Sequence, residues 1–103
     1  MRNAILIILT IGVALAFAGD CHVNCPPGYH GGCVKSGENC DCSCWKDAQE
    51  AKNGIISKLQ RMEASSDIQR QARLALKNTD ELPETTLTDR VTKKEFTISL
   101  KTF

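Results

Sequence analysis

The chain begins with a mostly apolar run, and regular spacing of apolar positions appears only later. Residues 4–18 follow a basic start at Arg2 and end in Ala16-Phe17-Ala18. A basic start, a short apolar run and small residues before a cut are typical of a secretory signal peptide. The run is too short for a membrane span, which needs about 20 residues. We therefore predict a signal peptide over residues 1–18, cleaved after Ala18, and a secreted extracellular protein with no transmembrane span. An uncleaved signal anchor is the alternative.

From residue 45 to residue 78 the apolar positions recur at helical spacing, and good helix formers dominate. Asn53-Gly54 interrupts the pattern, so we expect a kink or a division of the helix there. Ser65-Ser66-Asp67 is typical of an N-cap that opens a second helical stretch, which we expect to continue through Leu76. A polar break follows over residues 78–84. The helical face is rich in alanine, which makes it a poor membrane anchor, and we expect it to pack on the rest of the protein.

The end of the chain changes to a period of two residues. Apolar side chains at Phe96, Ile98 and Leu100 alternate with polar ones, which predicts a β-strand. Residues 85–91 form a weaker partner strand, and residues 92–95 are suited to a hairpin turn. We expect the apolar side of this hairpin to pack on the helix before it or on a second copy of the chain. The second case would give a homodimer through the C-terminal strand, because an exposed edge strand favours pairing.

The cysteines all lie between the predicted signal peptide and the predicted helix. They are Cys21, Cys25, Cys33, Cys40, Cys42 and Cys44. In a small secreted chain they indicate three disulfides, whose connectivity the spacing leaves open. Pro26-Pro27-Gly28-Tyr29 suits a type II turn. Alternate cysteines in residues 40–44 would share one face of an extended segment. We predict a small disulfide-rich α+β protein, with a cysteine-knit module over residues 19–45 and a helical segment plus β-hairpin over residues 46–103.

Binding of a metal by thiolates is the alternative use of the Cys-x-Cys-x-Cys pattern, with His22 and His30 as further ligands. The export signal favours disulfides, and the Cys-x-x-Cys spacing of structural zinc sites does not occur in the sequence. A nucleophile elbow, a phosphate-binding glycine loop and a His-x-x-x-His pair are also missing from the sequence. We therefore expect a protein that is not an enzyme, with no catalytic residue, no cofactor and no metal site.

The order of the cysteines resembles that of invertebrate defensins with the cysteine-stabilised αβ fold. The resemblance implies a helix that carries Cys21 and Cys25, a first strand with Cys33 and a second strand with Cys40 and Cys42. It also implies Cys21–Cys40 and Cys25–Cys42 disulfides and a role in host defence. No cysteine precedes Cys21, so the remaining pair would be Cys33–Cys44. Pro26-Pro27 disfavours a helix at that point, and the module is acidic, whereas membrane-active defensins are usually cationic.

A second resemblance covers one loop, Cys25-Pro-Pro-Gly-Tyr29-His-Gly31-Gly-Cys33. It is similar to the last loop of an epidermal-growth-factor-like module, in which Gly-Tyr-x-Gly lies between the final two cysteines. This loop is one residue shorter than usual, and the cysteines expected before it are missing. The acidic calcium signature of such modules is absent from the sequence as well, so the resemblance implies no calcium site.

The charge of the chain narrows the classes of partner. The formal net charge is +1 at pH 7, with a small acidic excess in the cysteine-rich module and a small basic excess after it. Neither part has the basic excess of a nucleic-acid binder, so we expect an extracellular protein or a microbial surface as partner. Our first hypothesis is a secreted defence or venom-type effector, defensin-like and antimicrobial or toxin-like. The alternative is a secreted interaction or inhibitor module without antimicrobial action, which binds an extracellular protein through aromatic anchors such as Tyr29 and Trp45.

Overall fold

The computed structural model describes residues 22–103, and these residues fold as an antiparallel sheet of four strands with two helices. The elements in chain order are β1 (His30–Ser36), β2 (Asn39–Trp45), α1 (Ala48–Arg61), α2 (Ser66–Leu76), β3 (Leu82–Thr88) and β4 (Glu95–Thr102). The predicted class of small α+β protein is therefore confirmed. The predicted signal peptide and Cys21 lie outside the described residues.

The sheet joins the cysteine-rich hairpin to the C-terminal hairpin, in the order β2-β1-β4-β3. Strands β1 and β4 pair antiparallel, with Val34 opposite Ile98. Strand β4 is thus flanked by β1 on one side and by β3 on the other, and both of its edges are used within the chain. The outer strands are β2 and β3. Dimerisation through the C-terminal hairpin stays a prediction, but strand pairing would have to use β3.

The hydrophobic core lies between the two helices and one face of the sheet. The strands contribute Val34, Leu87, Phe96, Ile98 and Leu100, and the helices contribute Ala51, Ile55, Leu59, Ile68, Ala72 and Leu76. Each of these side chains is almost completely buried. The alternation along β4 and the helical spacing of the middle segment both identified this buried face. The expectation that the hairpin packs on the helical segment is confirmed.

Helix α1 runs through Asn53-Gly54 without interruption, so the predicted division of the helix at this point is wrong, whereas a kink there stays a prediction. The side chain of Trp45, at the end of β2, lies against the helix at Gly54, where an added Cβ would clash with the indole ring. A Cβ added at Gly32 of β1 would lie 3.0 Å from the same ring. Glycine in a helix costs about 1 kcal/mol relative to alanine. Here it provides the space in which the indole packs.

Both helices begin at capping residues. The carboxylate of Asp47 accepts a hydrogen bond from the backbone N–H of Glu50 at 2.8 Å and so caps α1. The hydroxyl of Ser65 accepts a hydrogen bond from the backbone N–H of Ile68 at 3.2 Å and caps α2. The predicted N-cap in Ser65-Ser66-Asp67 is therefore confirmed, with Ser65 as the capping residue.

The partner strand of β4 lies about three residues earlier than the sequence suggested. It occupies Leu82–Thr88 rather than residues 85–91, so it begins inside the predicted polar break. Pro83 is tolerated because β3 is an outer strand, and the pairing with β4 is irregular between Leu82 and Thr85. The turn accordingly begins at Asp89 and not at residue 92.

Candidate functional site

Two disulfides lie within the described residues and cross-link the cysteine-rich hairpin. Cys33–Cys42 joins β1 to β2, and Cys25–Cys44 joins the segment before β1 to the end of β2. Cys40 is also disulfide-bonded. The implied Cys21–Cys40 bond involves a residue outside the described range.

The other two pairs that the defensin resemblance implied, Cys25–Cys42 and Cys33–Cys44, are wrong. The antiparallel register of the hairpin decides the pairing, because Cys33 lies directly opposite Cys42, with the two Cα atoms 4.1 Å apart. Cys44 instead lies opposite Gly31, where the sulfur of Cys25 is close by.

The cysteines occupy the sheet face that points away from the helices. Val34 is buried under the helices, so its neighbour Cys33 points to the opposite face. The cross-strand register places Cys40, Cys42 and Cys44 on that same face, as the alternation in residues 40–44 predicts. Residues 22–29 contain no helix, so the helix that the defensin resemblance implied at Cys25 is wrong, whereas the two implied strands are present.

The predicted aromatic anchors lie at one end of the sheet, and both are half-buried. The backbone N–H of Tyr29 donates to the carbonyl of Pro26 at 3.1 Å, and Gly28 has φ +87°, as the predicted type II turn requires. Trp45 packs against the hydrophobic core, with the Nζ atom of Lys58 5.7 Å from the centre of its ring. Binding through Tyr29 and Trp45 stays a prediction.

The two histidines have different surroundings. The side chain of His22 is exposed, and Nδ1 of His30 lies 3.2 Å from the hydroxyl of Thr102. Within residues 22–103 no three side chains of the histidine, cysteine, aspartate and glutamate types are placed to hold a metal ion.

A hydrogen-bonded turn at the tip of the second hairpin is the candidate site that the sequence did not indicate. We call residues 89–94 the Asp89 turn. The Asp89 side chain is 6% exposed, and its Oδ1 atom accepts the backbone N–H groups of Val91 at 2.8 Å and Thr92 at 3.0 Å. Its Oδ2 atom accepts the hydroxyl of Ser65, the residue that caps α2. These hydrogen bonds lower the pKa of Asp89, and the one from Ser65 has the largest effect.

Asp67, in the first turn of α2, holds the same turn from the other side. Its carboxylate accepts hydrogen bonds from Nη2 of Arg90 at 3.2 Å and from the backbone N–H of Arg90 at 3.3 Å. It also pairs with Arg70, one helical turn later. The hydrogen bond from the Arg90 side chain is the main cause that lowers the pKa of Asp67 to about 2. Two carboxylates therefore fix the turn to the start of α2.

The Asp89 turn presents one apolar side chain among basic ones. Val91 is 87% exposed, and Arg90, Lys93 and Lys94 around it are exposed as well. The backbone of the turn is closed by hydrogen bonds from Asp89 N–H to the Lys94 carbonyl and from Lys93 N–H to the Asp89 carbonyl, both at 2.9 Å. The arrangement is a preorganised protrusion with an apolar tip and a positively charged rim.

A sequence signal for this turn does exist. An aspartate often accepts the N–H groups that follow it in a turn, which is why Asp is common at the first position of such turns. The predicted strand over residues 85–91 places Asp89 within a strand and not in a turn. Its contacts with Ser65 lie far away along the chain and leave no local pattern.

Comparisons with protein-family models, with curated proteins and with solved structures found no match to this chain. Within residues 22–103 neither helix is long and apolar enough to cross a bilayer.

Proposed function

We propose that the protein is a secreted interaction module that binds an extracellular protein through the Asp89 turn. The observation that carries the proposal is Val91, an almost fully exposed apolar side chain on a turn that two carboxylates hold in place. Immobilising a flexible side chain or loop costs free energy on binding, so a turn that is already ordered loses less. Burial of the valine in a pocket of the partner would contribute about 1.5–3 kcal/mol.

The charge around Val91 suggests the chemistry of the partner. Lys93 and Lys94 are exposed on the turn, whereas the exposed Arg90 is already paired with Asp67. Asp89 is buried and accepts hydrogen bonds from the turn, so the two lysines carry the accessible positive charge. A complementary partner has an apolar pocket with acidic residues at its rim. Such complementarity accelerates association and makes its rate sensitive to salt.

Site-specific cross-linking tests this proposal. A photoreactive phenylalanine analogue is placed at Val91, or at Thr86 on the outer strand β3 as a control, since both positions are exposed. After exposure to extracellular fluid of the source organism, the Val91 position should yield one discrete cross-linked protein and the Thr86 position should not. The same products from both positions, or none from either, would contradict a specific contact at the turn.

A substitution at Val91 tests whether the captured protein is recognised through this side chain. Val91→Asp replaces the exposed apolar side chain with a negatively charged one. Little packing within the protein is lost, because Val91 is 87% exposed. The far-UV circular dichroism and the melting temperature should stay unchanged, while the immobilised variant should no longer retain the protein identified by cross-linking, which the immobilised wild-type protein retains. Retention of the captured protein by this variant would mean that the turn is not the binding surface.

The defence or venom-type role is the second candidate. The observation in its favour is that Cys33 lies on the first strand of the cysteine-rich hairpin and Cys40 and Cys42 on the second, as in defensins. A microbial growth assay with the oxidised protein separates the two proposals. Growth inhibition that persists in Val91→Asp would support the defence role and place its active surface elsewhere.

Secretion is part of both proposals. It is supported by the signal-peptide pattern of residues 1–18 and by the disulfides, which persist in oxidising compartments. Recovery of the protein from culture medium, with a mass that begins at Gly19, is the expected result. Retention in the cell with residues 1–18 attached would contradict it.

A further inference from the structure

A groove between α1 and α2 forms a second candidate binding surface, independent of the Asp89 turn. Its volume is about 540 Å³, which falls within the range of ligand-binding clefts. It lies toward the C-terminal end of α2, where Arg73 and Lys77 are found, whereas the Asp89 turn contacts the start of that helix at Asp67. The two surfaces can therefore be tested separately.

We propose that this interhelical groove binds an extended acidic peptide segment of a partner protein. The charged side chains that line it are all cationic, namely Lys52, Arg73 and Lys77, and no carboxylate lines it. Within residues 22–103, Arg73 and Lys77 form no ion pair with any acidic side chain. Lys52 has only a long contact, 3.7 Å from its Nζ atom to Oδ1 of the exposed Asp80. The Lys52 side chain is 19% exposed, and at this distance the contact is too long for a hydrogen bond, so the ammonium group keeps its donors for a ligand in the groove.

The position of the cations is not explained by the helix dipole alone. Cations near a helix C-terminus are favourable, and Arg73 and Lys77 are at the end of α2. Lys52 is in the N-terminal half of α1, where the dipole offers a cation no advantage, yet it lines the same groove. All three cations line the same groove, so a negatively charged ligand bound there would neutralise them together.

The remaining lining favours a peptide over a small anion. Four side-chain amides line the groove: Gln49, Asn53, Gln60 and Asn78. Gln49 donates to Asn53 and Gln60 donates to Gln69, and each amide keeps a further donor or acceptor for a peptide backbone. The half-buried Ile56 also lines the groove, so part of the accessible lining is apolar. A matching ligand has an extended backbone that carries carboxylates and aliphatic side chains on the same face.

Nuclear magnetic resonance titration tests this inference directly. The probe is a synthetic peptide that repeats Glu-Glu-Val-Val, which places both side-chain types on each face of an extended chain. It is blocked at both ends and added to the oxidised ¹⁵N-labelled protein. We expect saturable shifts of the Lys52, Ile56 and Lys77 amide signals and weaker binding as salt is raised. The same peptide with glutamine in place of glutamate should bind at least about tenfold more weakly, because only the carboxylates differ. Equal binding of the two peptides, or shifts outside the groove, would overturn the proposal.

Matched variants complete the test. Arg73→Gln with Lys77→Gln removes two cations and keeps polar side chains, so we expect the fold to persist and the affinity for the acidic peptide to fall at least about tenfold. Arg61→Gln removes an exposed cation of α1 outside the groove and should leave the affinity unchanged. Val91→Asp should also leave it unchanged, which separates this inference from the proposed function of the turn. Concentration-dependent shifts of the groove signals without any peptide would instead identify a second copy as the occupant, and would overturn the acidic-peptide proposal.

Discussion

The ammonium nitrogen of Lys58 lies 2.7 Å from Oδ1 of Asp41, and this contact joins α1 to the cysteine-rich strand β2. The Lys58 side chain is only 5% exposed, while that of Asp41 is 41% exposed. A buried ammonium group is tolerated only when a counter-charge and hydrogen bonds replace its water. Asp41 supplies that charge from the outside, and the ring of Trp45, 5.7 Å away, adds a cation–π contact.

Replacement of Asp41 should therefore destabilise the protein more than an ordinary surface substitution does. In Asp41→Asn the Lys58 ammonium group loses its counter-charge, and we expect the free energy of unfolding to fall by about 2 kcal/mol. The value is below that for a fully buried pair because solvent reaches Asp41. Urea denaturation measures it, with Glu38→Gln on the exposed β1–β2 turn as the control. Equal stability of the two variants would show that Lys58 does not depend on Asp41.

The packing of Trp45 on Gly54 gives a second prediction. In most helices Gly→Ala is stabilising by about 1 kcal/mol, but here the added methyl group would clash with the indole ring. We expect Gly54→Ala to lower the free energy of unfolding by about 1–3 kcal/mol, the usual cost of overpacking, and to shift the tryptophan fluorescence. In a Trp45→Ala background the same substitution should become neutral or stabilising. A destabilisation of the same size in both backgrounds would mean that Trp45 is not the cause.

The local elements of this fold could be predicted because their signals lie within a few residues of one another. The alternation of Phe96, Ile98 and Leu100 predicts β4, Ser65 predicts the start of α2, and residues 26–29 predict the first turn. The N-terminal limit of β3 was predicted wrongly because Pro83 reads as a breaker, although an outer strand accepts it.

Long-range pairing could not be predicted in the same way. The pairing of β1 with β4 brings together residues far apart along the chain, and nothing in either strand specifies the other. The disulfides follow the register of the β1–β2 hairpin, in which Cys33 lies opposite Cys42, and the defensin resemblance led to a different pairing. The attachment of the Asp89 turn to α2 could not be predicted for the same reason, because it depends on contacts from Ser65 and Asp67, which are distant along the chain.

Ser65 has two roles, and a substitution can separate them. Its hydroxyl accepts the N–H of Ile68 as the cap of α2 and donates to Asp89 in the turn. Ser65→Ala should lower the free energy of unfolding by about 1 kcal/mol through loss of the cap, and should also loosen the Asp89 turn. Denaturation gives the first effect, and faster hydrogen exchange at the Val91 and Thr92 amides gives the second. Ser66→Ala, at an exposed neighbouring position, is the control. Unchanged exchange at both amides in Ser65→Ala would contradict the coupling of the cap to the turn.

Acid should weaken the attachment of the turn to α2. Asp67 has a folded-state pKa of about 2 against an ordinary value of 3.8, and the pKa of Asp89 is lowered as well. Because the folded protein holds these carboxylates in their charged form, their contribution to stability is complete above about pH 5 and is lost as the pH falls through 3.8 toward 2.

We expect the melting temperature to be constant from about pH 7 to about pH 5 and to fall below that range. In the double variant Asp67→Asn with Asp89→Asn, the melting temperature should already be lower at neutral pH, and its further decrease in acid should be smaller. Other carboxylates also titrate in this range, so the comparison of the two proteins, and not the wild-type curve alone, is the test. An equally steep acid decrease in both proteins would show that the two carboxylates are not what makes the hairpin sensitive to acid.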